Sequence, residues 1–218
     1  MRPCLTVITR LSALVFWLFL STSVTGQSPQ WQKTNLDAAA TALFPGAASA
    51  STVKGQQAFS YKDEQAIFFI IVQKAAFRAD VNNADAVEFC KGMLEGTLEA
   101  AGGGKVEQQH PVTVAGFQGM EAQYTTPTRP ELPAVKFERI VLVNGTSYTL
   151  NYWTTAEHEH DPASATARNQ FFNSFEPGVA RVPARTGGGG LSSTVLLLSG
   201  LAGAAAVLLR RRFAKPKV

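Results

Sequence analysis

Asn144-Gly145 separates two runs that alternate as strands do, and no other pair of residues restricts this chain more. A two-residue hairpin loop takes a type I′ turn, which needs positive φ at both positions, and Asn-Gly meets that need best. The turn also sets register: Val143 should pair with Thr146, Val141 with Tyr148, Arg139 with Leu150 and Phe137 with Tyr152. Opposed side chains share a face. Tyr148 and Tyr152 are therefore expected on one side of a sheet and Trp153 on the other.

The rest of the chain between residues 31 and 177 supplies partners for that hairpin. Residues 66–72 (AIFFIIV) are the most apolar run of this stretch, and their β-branched and aromatic content predicts a strand buried on both faces. Asp63-Glu64 reads as the turn before it, and residues 56–61 as its neighbour. A shorter strand is expected at 40–44, before Pro45-Gly46. Residues 82–101 are the clearest helix. Asn82 or Asn83 can cap it, and Val87, Cys90, Leu94, Leu98 and Ala101 recur at spacings of three and four. Gly102-Gly103-Gly104 should end it. Strands follow at 106–114, 119–125 and 136–143, with a turn at Ala115-Gly116-Phe117 and a Pro-rich loop at 127–133. Asp161-Pro162 opens a last helix whose apolar side is Phe171, Phe172 and Phe175. Strands, helix, strands, helix predict an α+β domain: one mainly antiparallel sheet with both helices packed on it.

The two ends read as targeting segments. Residues 11–20 form a short apolar core between Arg10 and polar Ser21-Thr22-Ser23, the pattern of a signal peptide spanning 1–26. Near the other end an uncharged run begins at Leu191, ends at Leu209 and is closed by Arg210, Arg211 and Arg212. About 19 residues at 1.5 Å rise cross a hydrocarbon core of roughly 30 Å. The arginines should stay cytoplasmic. The expected arrangement is an exported domain at 27–177, a Gly/Pro linker at 178–190, a transmembrane helix at 191–209 and a basic cytoplasmic tail at 210–218. The membrane is thus one partner, and the cytoplasmic membrane the expected location. The linker's reach is on the order of 20 Å.

Charge agrees once it is divided by segment. Of the 20 Lys and Arg, seven lie in the two ends, whereas all 16 acids lie between Asp37 and Glu176. The exported part keeps 13 cations against 16 acids, a net charge of −3. The chain's basicity belongs to topology, and no Lys/Arg run tracks a phosphate backbone, which argues against a nucleic-acid partner. Cys90 is the only cysteine left after signal removal. It lies on the apolar stripe of the helix, so a buried thiol is expected instead of a disulfide or a nucleophile acting with His110, His158 or His160.

Other chemical signals are thin. Glu157-His158-Glu159-His160-Asp161 places imidazoles two apart. On an extended chain they would point to one side and could share Zn²⁺ or Cu²⁺ with Glu157 or Asp161; the plainer reading is a solvated connection with a capping aspartate. No HExxH, G-x-S-x-G or phosphate-loop motif is present. Asn144-Gly145-Thr146 matches a glycosylation sequon in a tight hairpin. If helices cover only one side of the sheet, some of Trp31, Tyr124, Tyr148, Tyr152 and Trp153 would line a ligand groove; otherwise they are core. Gly187, Gly188, Gly189 and Gly190 before the apolar run also resemble a sorting signal at which a membrane protease cuts, although no Leu-Pro-x-Thr-Gly is present.

Three stretches together resemble a known fold. Val114-Ala115-Gly116-Phe117-Gln118-Gly119, residues 139–148 (RIVLVNGTSY) and Phe171-Phe172-Asn173-Ser174-Phe175 are similar to the closing half of the PsbP-like fold. That fold occurs in a photosystem II extrinsic subunit and in many small exported bacterial proteins. The resemblance covers about 105–176, and more loosely the elements before it. It implies structural glycines and a helix–sheet aromatic core, with no catalytic residues or cofactor to carry over and no photosystem role. The expected function is a non-enzymatic, membrane-tethered module that binds a protein or small ligand. The alternatives are a metal-binding or enzymatic domain using His158 and His160, and a surface protein processed at the glycine run.

Overall fold

The computed structural model describes residues 30–127 and 133–179. In chain order the elements are β1 (Gln32–Asn35), β2 (Ala40–Phe44), β3 (Ser49–Val53), β4 (Gln56–Lys62), β5 (Ala66–Gln73) and α1 (Asn83–Ala100). Next come β6 (Lys105–Val114), β7 (Phe117–Thr125), β8 (Val135–Val143), β9 (Thr146–Thr154), a 3-10 turn (Ala156–His158), α2 (Pro162–Asn173) and β10 (Glu176–Pro177). Seven strands form one antiparallel sheet in the order β3-β4-β5-β9-β8-β7-β6. Three more form a small antiparallel sheet in the order β1-β2-β10.

The hairpin register is the expected one, with Val143 opposite Thr146, Val141 opposite Tyr148, Arg139 opposite Leu150 and Phe137 opposite Tyr152. Asn144 and Gly145 have φ of 44° and 91°. Two other hairpins use the same two-residue loop, Lys54-Gly55 (48° and 79°) and Ala115-Gly116 (49° and 85°). Alanine at positive φ is strained by its Cβ, whereas asparagine tolerates that region. Ala115→Asn should therefore stabilise the protein by about 0.5–1 kcal/mol, read as a higher midpoint of thermal unfolding.

The helix ends follow the expected chemistry. Asn82 caps α1, its side chain accepting from the Asp85 N–H at 2.9 Å. At the other end Gly103 N–H donates to Leu98 O (2.9 Å) and Gly102 N–H to Glu99 O (3.0 Å), the glycines sitting at φ of 99° and 85°. In α2, Asp161 accepts from the Ala163 N–H at 2.9 Å and Pro162 occupies the first turn.

One expectation about layers is corrected: there are two sheets instead of one. Both helices pack on the larger sheet, one on each of its faces. Strand alternation makes this plain on β8. Val141 and Val143 belong to a core with Phe171 and Phe172 of α2, whereas Ile140 and Leu142 belong to one with Ala86, Cys90 and Leu94 of α1. The small sheet joins α2 on the first face through Phe44, which lies 5.2 Å from Phe171, ring centroid to centroid. Both faces of the last hairpin are consequently buried, with Tyr148 and Tyr152 on the α2 side and Trp153 on the other. All eight residues of β5 are buried.

Candidate functional site

An open groove of about 800 Å³ lies between the small sheet and the β6–β7 turn. Its walls include Lys33 and Asn35 of β1, Asp37 and Thr41 around the next turn, Val114 and Ala115, and the segment around β10. The local sequence explains the shape. Asp37 closes the β1–β2 turn, its Oδ1 accepting from Ala39 N–H at 2.7 Å, while its Oδ2 accepts from the Tyr148 hydroxyl at 2.8 Å. A carboxylate so held is fixed by a backbone amide and by a tyrosine from the sheet behind it. Burial first, then the hydrogen bond to Asp37 and its charge, push the Tyr148 hydroxyl well above the ordinary phenol range.

The end of the domain forms the other wall. Gly178 N–H donates to Ala39 O at 2.7 Å. Lys33 Nζ bridges over β2 to Glu176 Oε2 at 2.8 Å, and that hydrogen bond and charge hold the Glu176 carboxyl below its usual range. Ser174 accepts from Leu43 N–H through Oγ at 2.8 Å and donates to Phe171 O at 2.7 Å, tying the end of α2 to β2. None of the lining residues is a serine, histidine or cysteine. The groove offers a cation, carboxylates and backbone polar groups, a set suited to holding a ligand.

A second polar cluster lies under α1. Glu138 of β8 is buried, and its Oε2 accepts from the Tyr124 hydroxyl at 3.1 Å. Its Oε1 is buried without a hydrogen-bond partner. Burial raises the Glu138 carboxyl to about 7, the tyrosine bond opposing it. Burial and then the charge of Glu138 push the Cys90 thiol up to about 12. Cys90 is fully enclosed and free, so the expected buried thiol is found. A thiol with that proton affinity has almost no thiolate at neutral pH.

The histidine segment is not extended. Residues 156–158 form a 3-10 turn, so the extended arrangement that would put His158 and His160 on one side is replaced. Glu159 Oε1 accepts from Gln123 Nε2, and Asp161 caps α2. Among the described residues no group of three His, Cys, Asp or Glu is placed to hold a metal ion. His110 lies exposed on β6, away from the face that encloses Cys90.

Sequence reasoning did not find the groove. Asp37 carried no signal beyond its charge, and β1 and β10 are too polar or too short to stand out. The only available hint was Tyr148, singled out as a possible groove residue. Its hydroxyl supports the groove wall from behind. The proposed anchor residues Leu191, Leu209, Arg210, Arg211 and Arg212, the glycines 187–190 and the signal peptide lie outside the described residues. Among the described residues no helix is long and apolar enough to cross a membrane.

No family model matches the chain, and no curated protein matches it. Solved structures do. Cyanobacterial PsbP (CyanoP) from Synechocystis sp. PCC 6803 is 13% identical, covers 68% of this chain and 93% of its own, and superposes with a TM-score of 0.53. LpqN of Mycobacterium tuberculosis, involved in cell envelope biogenesis, is 12% identical over 69% of this chain and 91% of its own, with a TM-score of 0.42. Protein PA94 of Pseudomonas aeruginosa, a protein of unknown function, is 15% identical over 69% and 99%, also at 0.42. Only the first is close enough to support an argument, and at 13% identity that argument concerns fold alone. Taken with the order and pairing of its strands, it shows that the chain carries a PsbP-like α+β domain.

Proposed function

We propose that this protein is a non-enzymatic, extracytoplasmic binding module, tethered to the cytoplasmic membrane by residues 191–209, which takes a protein or small ligand in the groove beside β10. The observation that carries this reading is the position of the groove. Its wall includes Glu176, Pro177 and Gly178, the last residues of the domain, and the linker starts there. A ligand bound at that point is held within a linker's reach of the bilayer, on the order of 20 Å. Tethering raises the local concentration of a membrane-associated partner without any new contact. The PsbP-like fold supports a domain built for packing and recognition, and the lining chemistry supports binding over turnover.

A photo-crosslinking residue at Asn35 or Ala38, both exposed at the groove, tests this in the native membrane. The same residue at Gln109, exposed on β6, is the control. Adducts concentrated at the two groove positions support the site. Equal labelling at all three, or labelling at Gln109 alone, removes it.

A further inference from the structure

Among the described residues the two sheets end in the edge strands β1, β10, β3 and β6, and all but β3 are blunted. β6 has a bulge between Val106 and Gln108, and carries Pro111 with Lys105, Glu107 and His110. β1 carries Lys33, and β10 is Glu176-Pro177. Charges, prolines and bulges are the usual means by which an open edge is kept from pairing with another chain. β3 has none of them. Its sequence is Ser-Ala-Ser-Thr-Val, its five residues are an ordinary strand length, and it pairs with β4 without a bulge. Register says which of its groups are open. A two-residue loop joins Val53 to Gln56, so those two exchange hydrogen bonds, and alternation makes Ser51–Ala58 and Ser49–Ser60 pairs of the same kind. Ala50 and Thr52 therefore turn their N–H and C=O groups away from β4. Both residues are exposed, and among the described residues no strand lies beyond β3.

We propose that β3 pairs antiparallel with β3 of a second copy, about a twofold axis through Ser51, so that one sheet runs through a symmetric dimer. Ala50 of each copy then faces Thr52 of the other, and each such pair exchanges the bonds that β4 leaves open. The strand is its own complement in this register. Val53 faces Ser49, Lys54 faces Ala48, and no charge meets a charge. An isologous contact of this kind closes at two copies. An edge without charge carries no pattern that would select a different protein over another copy. The axis runs along the sheet normal, so both copies turn the same face the same way. The small sheet and the end of the domain lie on the α2 face of the large sheet. Both linkers then start on one side, as two anchors in one bilayer require. That shared direction matters only if residues 191–209 are the tether proposed above; the pairing of β3 holds with or without it.

The test uses full-length protein, in its native membrane and then in a neutral detergent. Ser51→Cys puts a thiol beside the twofold axis, opposite its own mate in a non-hydrogen-bonded pair whose Cα atoms are about 4.5 Å apart, within disulfide range. Mild oxidation of the membranes should convert most of that variant to a disulfide-linked dimer. Gln109→Cys, exposed on β6, is the control and should stay uncrosslinked. Cys90 is enclosed and takes no part. In detergent, light scattering should give the mass of a dimer for the wild type. Thr52→Pro removes an outward N–H and leaves the bonds to β4, and should raise the dissociation constant about tenfold or more. No crosslink through Ser51→Cys, or an equal one through Gln109→Cys, overturns the proposal, as does a dimer that Thr52→Pro leaves intact. Crosslinking through Ser51→Cys in protein from the soluble fraction would remove the tether and keep the β3 contact. The oxidation result decides the matter even if Thr52→Pro fails to fold.

Discussion

Phe171→Ala will cost about 3–5 kcal/mol of stability, the largest loss expected from any single truncation in this domain. Phe171 is fully enclosed, and its ring lies 5.2 Å from Phe44, 5.3 Å from Phe68 and 5.7 Å from Phe172. Those three come from the small sheet, the large sheet and α2 itself. Phe68 also meets Tyr152 edge-on at 5.0 Å, so the hole would open in the middle of an aromatic network. Close packing lets the walls relax only in part, which adds a cavity cost to the lost transfer energy. Domains of this size have about 5–15 kcal/mol in all. Urea unfolding should show a midpoint lower by roughly 2 M. A loss under about 1 kcal/mol would mean that α2 does not join the two sheets as described.

The second large effect concerns pH. Glu138 has its carboxyl raised from 4.5 to about 7, burial being the main cause. Its surroundings are the Tyr124 hydroxyl, the Cys90 thiol, the Asn151 side chain opposite it on β9, and Trp153. Lys136, two residues away on the same strand, donates to Thr126 Oγ1, Pro133 O and Ala134 O. Below about pH 4.5 the carboxyl is protonated whether the chain is folded or not, and its titration costs nothing. Between 4.5 and 7 the unfolded chain releases the proton while the folded one keeps it. Stability therefore falls as pH rises, by about 1.4 kcal/mol per unit, and levels off above 7. The total is about 3 kcal/mol. Glu138→Gln removes this titration and keeps an acceptor for Tyr124. The difference in unfolding free energy between the two proteins should change by about 3 kcal/mol from pH 4.5 to 8, in favour of the glutamine variant at high pH. Other titrating groups cancel in that difference. Parallel stability curves would show that Glu138 is solvated or paired in a way the structure does not have.

What was legible in the chain depended on how local the signal is. Asn144-Gly145 states its turn type in two residues, and with it the register of β8 and β9. Asn82, Asp161 and Gly102-Gly103 state helix ends just as locally. The apolar content of β5 announced burial on both sides. The second sheet was not legible. β1 is Gln-Lys-Thr-Asn and mostly exposed, and β10 is two residues long. Each pairs with β2, which lies between them, β1 locally and β10 across more than a hundred residues of chain. The β3–β4 hairpin was missed because Lys54 is an unusual residue at positive φ. Which face of the sheet each helix covers was not legible either. Helix amphipathicity shows that a face is buried but not which side of a two-faced sheet buries it.

The candidate sites divide in the same way. Cys90 was correctly read as enclosed, since its place on an apolar helical stripe carries that information. The His158 and His160 reading assumed an extended backbone, and the 3-10 turn that precedes α2 supplies another one. The groove and the buried Glu138 are products of long-range pairing, and no spacing in the chain marks them.

The mass and location of the native protein test the central claim most directly. Membrane and soluble fractions should be separated, and the intact protein weighed in each. A tethered module predicts a membrane-bound species that begins after the signal peptide and retains residues 191–218. A soluble species ending near Gly187, Gly188, Gly189 or Gly190 would contradict the tether, and the domain would then work away from the cytoplasmic membrane.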